Sequence, residues 1–261
     1  MTANAEFEPR ILGFLCICCA YAGADLAGVS RFQYPPNHRT IMVRCSGRVD
    51  PRHVLRGFLR GVDGVMVLGC HPGDCHYVSG NYYARIRMGA LAYLLSLTGM
   101  DPDRLILDWV SAAEGRRFAD LVTAFTTRIR ELGPLGRAEK LSSEELKARL
   151  VAASDVMGNE RVRWLIGRKL ELLAKGDVYS EQVHEEAYDD LVRTTIAAEY
   201  QRSRLLGVAE HRPRSVTEMA EAVGLAPRLV LPHIVALEQA GLMTMVGIEG
   251  RSPTYLRAQR L

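Results

Sequence analysis

The chain has 261 residues, 48% of them hydrophobic, and its 33 basic and 30 acidic side chains leave a net charge of +3. That is enough apolar content to bury a core in more than one domain without covalent staples, and no apolar run approaches the roughly 20 residues that a membrane span requires. With no apolar leader at the N-terminus either, the sequence predicts a cytoplasmic protein whose six cysteines stay reduced.

Through the first half, short runs rich in Val, Ile and Leu alternate with stretches of helical period, the pattern of strands joined by crossover helices. The first run, 10–15, contains Ile11-Leu12-Gly13-Phe14-Leu15 and leads into Cys16 and Cys19. The second, 40–44, ends at Cys45, and the third, 64–69, ends at Cys70 with Cys75 close behind. A fourth run covers 104–108, and the helix after it ends near Arg130. The expected fold is α/β, with a four-stranded parallel flavodoxin- or Rossmann-like sheet. Ligands of such sheets bind beyond the carboxyl ends of the strands, and three successive strand ends deliver five of the six cysteines to that edge.

In a reducing compartment, clustered cysteines point to a metal or a catalytic thiol rather than to disulfides. Thiolates select zinc, copper(I) or iron-sulfur clusters. The Cys16-x-x-Cys19 spacing alone is also that of a redox dithiol, but a dithiol leaves Cys45, Cys70 and Cys75 without a role. A nucleotide site would place Gly-x-Gly-x-x-Gly after the first strand, where this chain has Cys-Ile-Cys-Cys, so nucleotide binding is not expected there. His71 is expected to orient the loop, and His76 and Tyr77 to open the next helix and line the site or meet a partner. Asp74 is expected to cap a turn or helix, and Cys18 to pack as a small buried hydrophobe.

Three stretches taken together carry more information than any one cysteine pair. They are Gly13-Phe14-x-Cys16-x-x-Cys19-x-Tyr21-Ala22-Gly23-Ala24-Asp25, Arg44-Cys45-Ser46-Gly47-Arg48-Val49-Asp50, and Gly64-Val65-x-Val67-x-Gly69-Cys70-His71-Pro72-Gly73-Asp74-Cys75-His76-Tyr77. Over roughly residues 8 to 133 the chain resembles the delta subunit of methyl-viologen-reducing (F420-non-reducing) hydrogenase, the hydrogenase iron-sulfur subunit family. The resemblance implies a 2Fe-2S cluster with no catalytic residue. Four ligands would come from among Cys16, Cys19, Cys45, Cys70 and Cys75. It also implies electron transfer between an input module, such as hydrogenase, formate dehydrogenase or another oxidoreductase, and the flavoprotein component of a heterodisulfide-reductase-like enzyme. Cys18 departs from the family, which commonly has tryptophan or another non-ligand residue at that position.

The resemblance stops before the second half. Leu132-Gly133-Pro134-Leu135-Gly136 breaks the helical period, and Ser142 or Ser143 then caps a new helix. From 141 to 206 the pattern is that of charge-laced amphipathic helices, with Trp164 expected in the core. Ser215 and Glu218 form a capping-box pattern. The following stretch, 216–240, with an expected hairpin over 242–247 and 253–257, resembles a winged helix-turn-helix. The expected division is an iron-sulfur domain over 1–136, a helical linker region over 137–207 and a winged-helix-like docking domain over 208–261.

DNA binding is not expected of that last unit, because Arg228, Leu231, Pro232 and Val235 face outward on its second helix, an array too apolar for base readout. Residues 137–261 hold 18 basic and 18 acidic side chains, so positive charge is not concentrated there. The alternatives to an electron relay are a redox-sensing iron-sulfur transcription regulator and a zinc-stapled docking protein.

Overall fold

The computed structural model describes residues 7–177, 179 and 181–258. Its first half alternates strand and helix: β1 (Ile11–Cys16), α1 (Ala20–Val29), β2 (His38–Val43), α2 (Pro51–Leu59), β3 (Gly64–Gly69), α3 (Gly80–Thr98), β4 (Leu105–Trp109) and α4 (Gly115–Leu132). The four strands form one parallel sheet in the order β2-β1-β3-β4. The α/β fold and the parallel sheet are as expected from the sequence, and each strand lies within two residues of its anticipated position.

β3 shows why both faces of this sheet must be covered. Val65 and Val67 point into one core with Phe14 of β1, Leu55 and Phe58 of α2, and Leu91 and Leu95 of α3. Met66 and Leu68 point the other way, against Ile11 and Leu15 and against Phe118, Val122 and Ile129 of α4. All six β3 residues are buried, as a central parallel strand with helices on both faces requires. β2, at one edge, leaves Ile41 and Met42 exposed.

Three helices follow, α5 (Ser143–Gly158), α6 (Glu160–Lys175) and α7 (Glu185–Val208). Ser142 caps α5, its Oγ accepting from Glu145 N at 3.1 Å, and Asn159 caps α6. These helices do not form a separate core. Leu146, Leu150, Val156, Ile166 and Ile196 belong to the same buried cluster as Leu55, Phe58, Leu91 and Leu95, so they add a further layer over α2 and α3. Within α6, Val162, Leu165, Ile166 and Lys169 make the buried stripe at helical spacing. Trp164 falls between those positions and is 55% exposed, against the expectation that it packs inside.

The chain ends in β5 (Arg214–Ser215), α8 (Val216–Val223), α9 (Pro227–Gln239), β6 (Met243–Glu249) and β7 (Ser252–Arg257). The strands form a small antiparallel sheet in the order β5-β7-β6. Ser215 and Glu218 make the full reciprocal capping box. Val230, Ile234 and Leu237 of α9 are buried with Met219, Met243 and Tyr255 in a cluster of their own. Among the described residues no single helix is long and apolar enough to cross a membrane.

Candidate metal centre

In a sheet of order β2-β1-β3-β4 the connections leave β1 and β3 in opposite directions, which opens a crevice beyond their carboxyl ends. Cys16 is the last residue of β1 and Cys70 the first after β3, and their Sγ atoms lie 3.9 Å apart across that crevice. Cys19, immediately ahead of α1, completes a trio with them: the three Sγ atoms all lie within 4.8 Å of one another. The turn that brings Cys19 round is closed by its N–H on Cys16 O at 3.3 Å, and Ile17 N–H still bonds Val43 O of the neighbouring strand at 2.8 Å.

Cys45 and Cys75 form a pair beside the trio, joined by glycine. Any side chain at Gly80, the first residue of α3, would strike Cys45 Sγ and stand 3.1 Å from Cys75 Sγ. One at Gly47 would run into Gly80 O, so the two glycines let the loop after β2 and the start of α3 close on each other. All five cysteines are buried. Cys18, by contrast, lies in the turn between Cys16 and Cys19 and is exposed, so it is not the buried apolar residue expected from its chemistry.

Hydrogen bonding between the thiols and burial together set their protonation. The hydrogen bond from the Cys19 thiol holds Cys16 down to about 5, against the opposing effect of burial. Cys19 moves in the opposite direction because it donates that bond and is itself buried. Burial pushes Cys45 up to about 11 and Cys70 upward as well. The Cys16 thiolate therefore sits near Cys19, Cys45 and Cys70, whose buried thiols resist ionising, an arrangement that a thiophilic cation relieves by taking the place of the shared protons. The donor set fits a metal of that class.

Several neighbours support the site without any warning from sequence spacing. Asn81 is buried, and its Nδ2 donates to Cys70 O at 3.3 Å and His71 O at 2.7 Å, fixing the loop after β3. Glu114, from the loop before α4, lies 2.6 Å from His71 Nε2 and accepts from Ser111 N at 2.7 Å. The Ser111 bond and then the His71 contact hold the Glu114 carboxyl down to about 2. Thus His71 orients the loop, as expected, through a carboxylate 43 residues away. His76 and Tyr77 do not open a helix, since α3 begins at Gly80 and they lie in the exposed turn before it. Asp74 is exposed in the same loop, where its backbone N–H bonds His71 O at 3.0 Å. The small-residue run Ser79-Gly80-Asn81 just after Cys75 is the sequence signal that could have marked this close approach.

Residues 11–133 match the family model for the delta subunit of methyl-viologen-reducing hydrogenase. Among curated proteins the chain is similar to the iron-sulfur subunit of the vhc F420-non-reducing hydrogenase of Methanococcus voltae, 46% identical over 129 residues that make up 49% of this chain and 90% of the relative. It is equally similar to the F420-non-reducing hydrogenase iron-sulfur subunit of Archaeoglobus profundus, 46% identical over 131 residues, 50% of this chain and 96% of the relative. The same part of the chain is 45% identical over 135 residues to a component of the ferredoxin:CoB-CoM heterodisulfide reductase of Methanosarcina mazei, a match over 52% of this chain and 17% of that protein. On the strength of these matches, the chain belongs to the family of the delta subunit of methyl-viologen-reducing hydrogenase.

Proposed function

We propose that this protein is an iron-sulfur electron-transfer subunit that relays electrons between an input oxidoreductase, such as a hydrogenase or formate dehydrogenase, and the flavoprotein component of a heterodisulfide-reductase-like enzyme. It would hold a 2Fe-2S cluster on four thiolates drawn from Cys16, Cys19, Cys45, Cys70 and Cys75. The observation that carries this reading is the arrangement of five buried cysteines at the switch point of the sheet, a trio beside a pair. A structural zinc site closes one tetrahedron of four ligands, whereas two irons take two terminal thiolates each. A trio with an adjacent pair suits the second demand better. When bound, the cluster accepts and releases one electron; the protein supplies the thiolates, the apolar surroundings and the close-packed glycines.

The relatives' names support the partner. The matching domain is a separate iron-sulfur subunit in F420-non-reducing hydrogenases and a segment of a longer heterodisulfide reductase chain in Methanosarcina. A module that one chain carries covalently beside a reductase is built to work beside it. The C-terminal unit reads as a winged helix-turn-helix, because α8 and α9 diverge by 110° and a three-stranded sheet follows the usual wing arrangement. Leu229, Leu231 and Val235 are exposed on α9, with Met245, Val246 and Ile248 on the hairpin. That surface favours a protein contact over DNA.

The test is the iron, zinc and acid-labile sulfide content of anaerobically purified protein, with a visible spectrum before and after dithionite. About two irons and two sulfides per chain, with a spectrum that bleaches on reduction, are expected. Stoichiometric zinc without colour, persisting after anaerobic iron-sulfur reconstitution, would overturn the relay.

A further inference from the structure

Among the described residues, openings of different charge reach the cysteines. The larger, a cavity of about 540 Å³, is bounded by Cys45, Tyr77, Tyr83, Arg44, Arg48 and Arg87, and no carboxylate lines it. Arg44 and Arg48 are exposed and form no ion pair among the described residues. Arg87 is half-buried, its guanidinium donating to Gly47 O. A second cavity of about 350 Å³ shares Arg48 and Arg87 and adds Arg163. Its lining carboxylate, Asp50, is already engaged, accepting from Arg163 Nη1 at 2.8 Å and Arg52 N at 2.9 Å. The other opening, about 260 Å³, is lined by Cys19 and Cys70 of the trio together with Cys18, His71, Asp74 and His76.

Guanidinium groups stay charged at any working pH. Three of them around a mouth with low-dielectric walls, with no carboxylate in its lining, focus a positive field at the entrance and draw anionic groups to it. Tyr77, exposed in the lining of the mouth, sets an aromatic ring among the positive charges, as at contacts steered by charge and completed by apolar burial. Cys45 forms the inner wall of the mouth.

We propose that the arginine-lined mouth at Cys45 is an electron-exchange port that receives the acidic surface of a redox partner, leaving the opening at His71 and His76 free for a second partner. This rests on the relay reading above and adds which side of the centre an acidic partner meets. The exchange itself moves one electron between this protein and its partner, with no bond or proton transferred.

The experiment uses the full chain, dithionite-reduced and with its visible spectrum verified, oxidised in a stopped-flow cell by ferricyanide or by the cationic tris(phenanthroline)cobalt(III). Each oxidant takes one electron, ferricyanide becoming ferrocyanide and cobalt(III) becoming cobalt(II). In the Arg44→Glu/Arg48→Glu variant the ferricyanide rate should fall about tenfold at low salt and the cobalt rate should rise, with the milder Arg48→Gln shifting both in the same directions. The control Arg228→Glu/Arg251→Glu changes the net charge equally on α9 and the distant hairpin. Rates that respond no more to the mouth substitutions than to the control overturn the port. A readout independent of iron is the fluorescence anisotropy of a labelled hexaglutamate peptide titrated with metal-free chain. Weaker binding by the mouth variant supports the port, and equal binding by mouth variant and control overturns it. A chain that holds no iron defeats the relay reading itself, while the peptide titration still decides the charge preference of the mouth.

Discussion

Gly80 carries more of the centre than its lack of chemistry suggests. Its Cα hydrogen faces Cys45 Sγ and Cys75 Sγ, and a methyl group there has no room unless one of the sulfurs moves. Gly80→Ala is therefore expected to fold, since alanine favours the start of α3, yet to lose most of its bound iron; far-ultraviolet circular dichroism and iron analysis on the same sample separate the two effects. Cys18 makes the opposite case. It is exposed and is not one of the trio, so Cys18→Ala should keep iron content and spectrum within error of the parent, while Cys16→Ser should lose both. A colourless Cys18→Ala protein would place a ligand where the geometry puts none.

At the scale of elements, the segment between the sheet and the helices after it is held by a buried charge cluster as well as by the apolar packing of Leu135 and Leu141. Arg104, ahead of β4, is fully buried. Its guanidinium donates to Glu139 at 2.5 and 3.2 Å, to Asp63 O and Gly133 O at 3.1 Å, and to Pro134 O at 3.2 Å. Asp63 in turn accepts from Arg10 N at 2.8 Å and Leu135 N at 3.0 Å. The glycines and proline of 132–136 break the helix, but the segment is pinned to the sheet. Glu139→Gln leaves the Arg104 charge buried and unpaired, at an expected cost of about 3–5 kcal/mol in urea unfolding at neutral pH. Burial would raise the Glu139 carboxyl, but the bonds from Arg104 prevail and hold it below the usual carboxylate range. Its folded pKa is thus depressed, so the stabilisation is present above the unfolded value of about 4.3 and is lost as pH falls through the lower folded value. Between pH 6 and pH 3 the parent should lose more stability than Glu139→Gln; equal losses would show that this pair does not contribute to acid sensitivity.

For the whole molecule, the distribution of cores predicts how the chain responds to shortening. Helices α5 to α7 share a buried cluster with α2 and α3, whereas α8, α9 and the small sheet bury their own cluster against the end of α7. A chain ending after Arg212 should still unfold cooperatively and bind iron. One ending after Gly136, although it spans the whole family match, should expose the outer face of α2 and α3 and lose a sharp thermal transition or precipitate. Thermal melts followed by circular dichroism, with iron content on the soluble fraction, check both. A stable, iron-binding 1–136 fragment would show that the added helices are dispensable to the core.

How much of this is legible in the sequence depends on the range of the interaction. Strand positions, the parallel sheet and the edge that receives Cys16, Cys19, Cys45, Cys70 and Cys75 follow from local patterns, because β-propensity, turn residues and crossover rules act over a few residues at a time. The caps at Ser142 and Ser215 are local for the same reason. Trp164 escapes a sequence reading because apolar character is a composition, while its exposure depends on a one-residue offset from the stripe at 162, 165, 166 and 169. Cys18 escapes it similarly, since the direction in which a turn residue points depends on the turn's dihedral angles. The grouping of thiols into a trio and a pair, the Glu114–His71 contact, the salt-bridged clasp at Arg104 and the basic mouth at Cys45 all join residues far apart in the chain. Only tertiary structure decides them, because nothing in a local stretch of sequence records which loops will meet when the sheet closes.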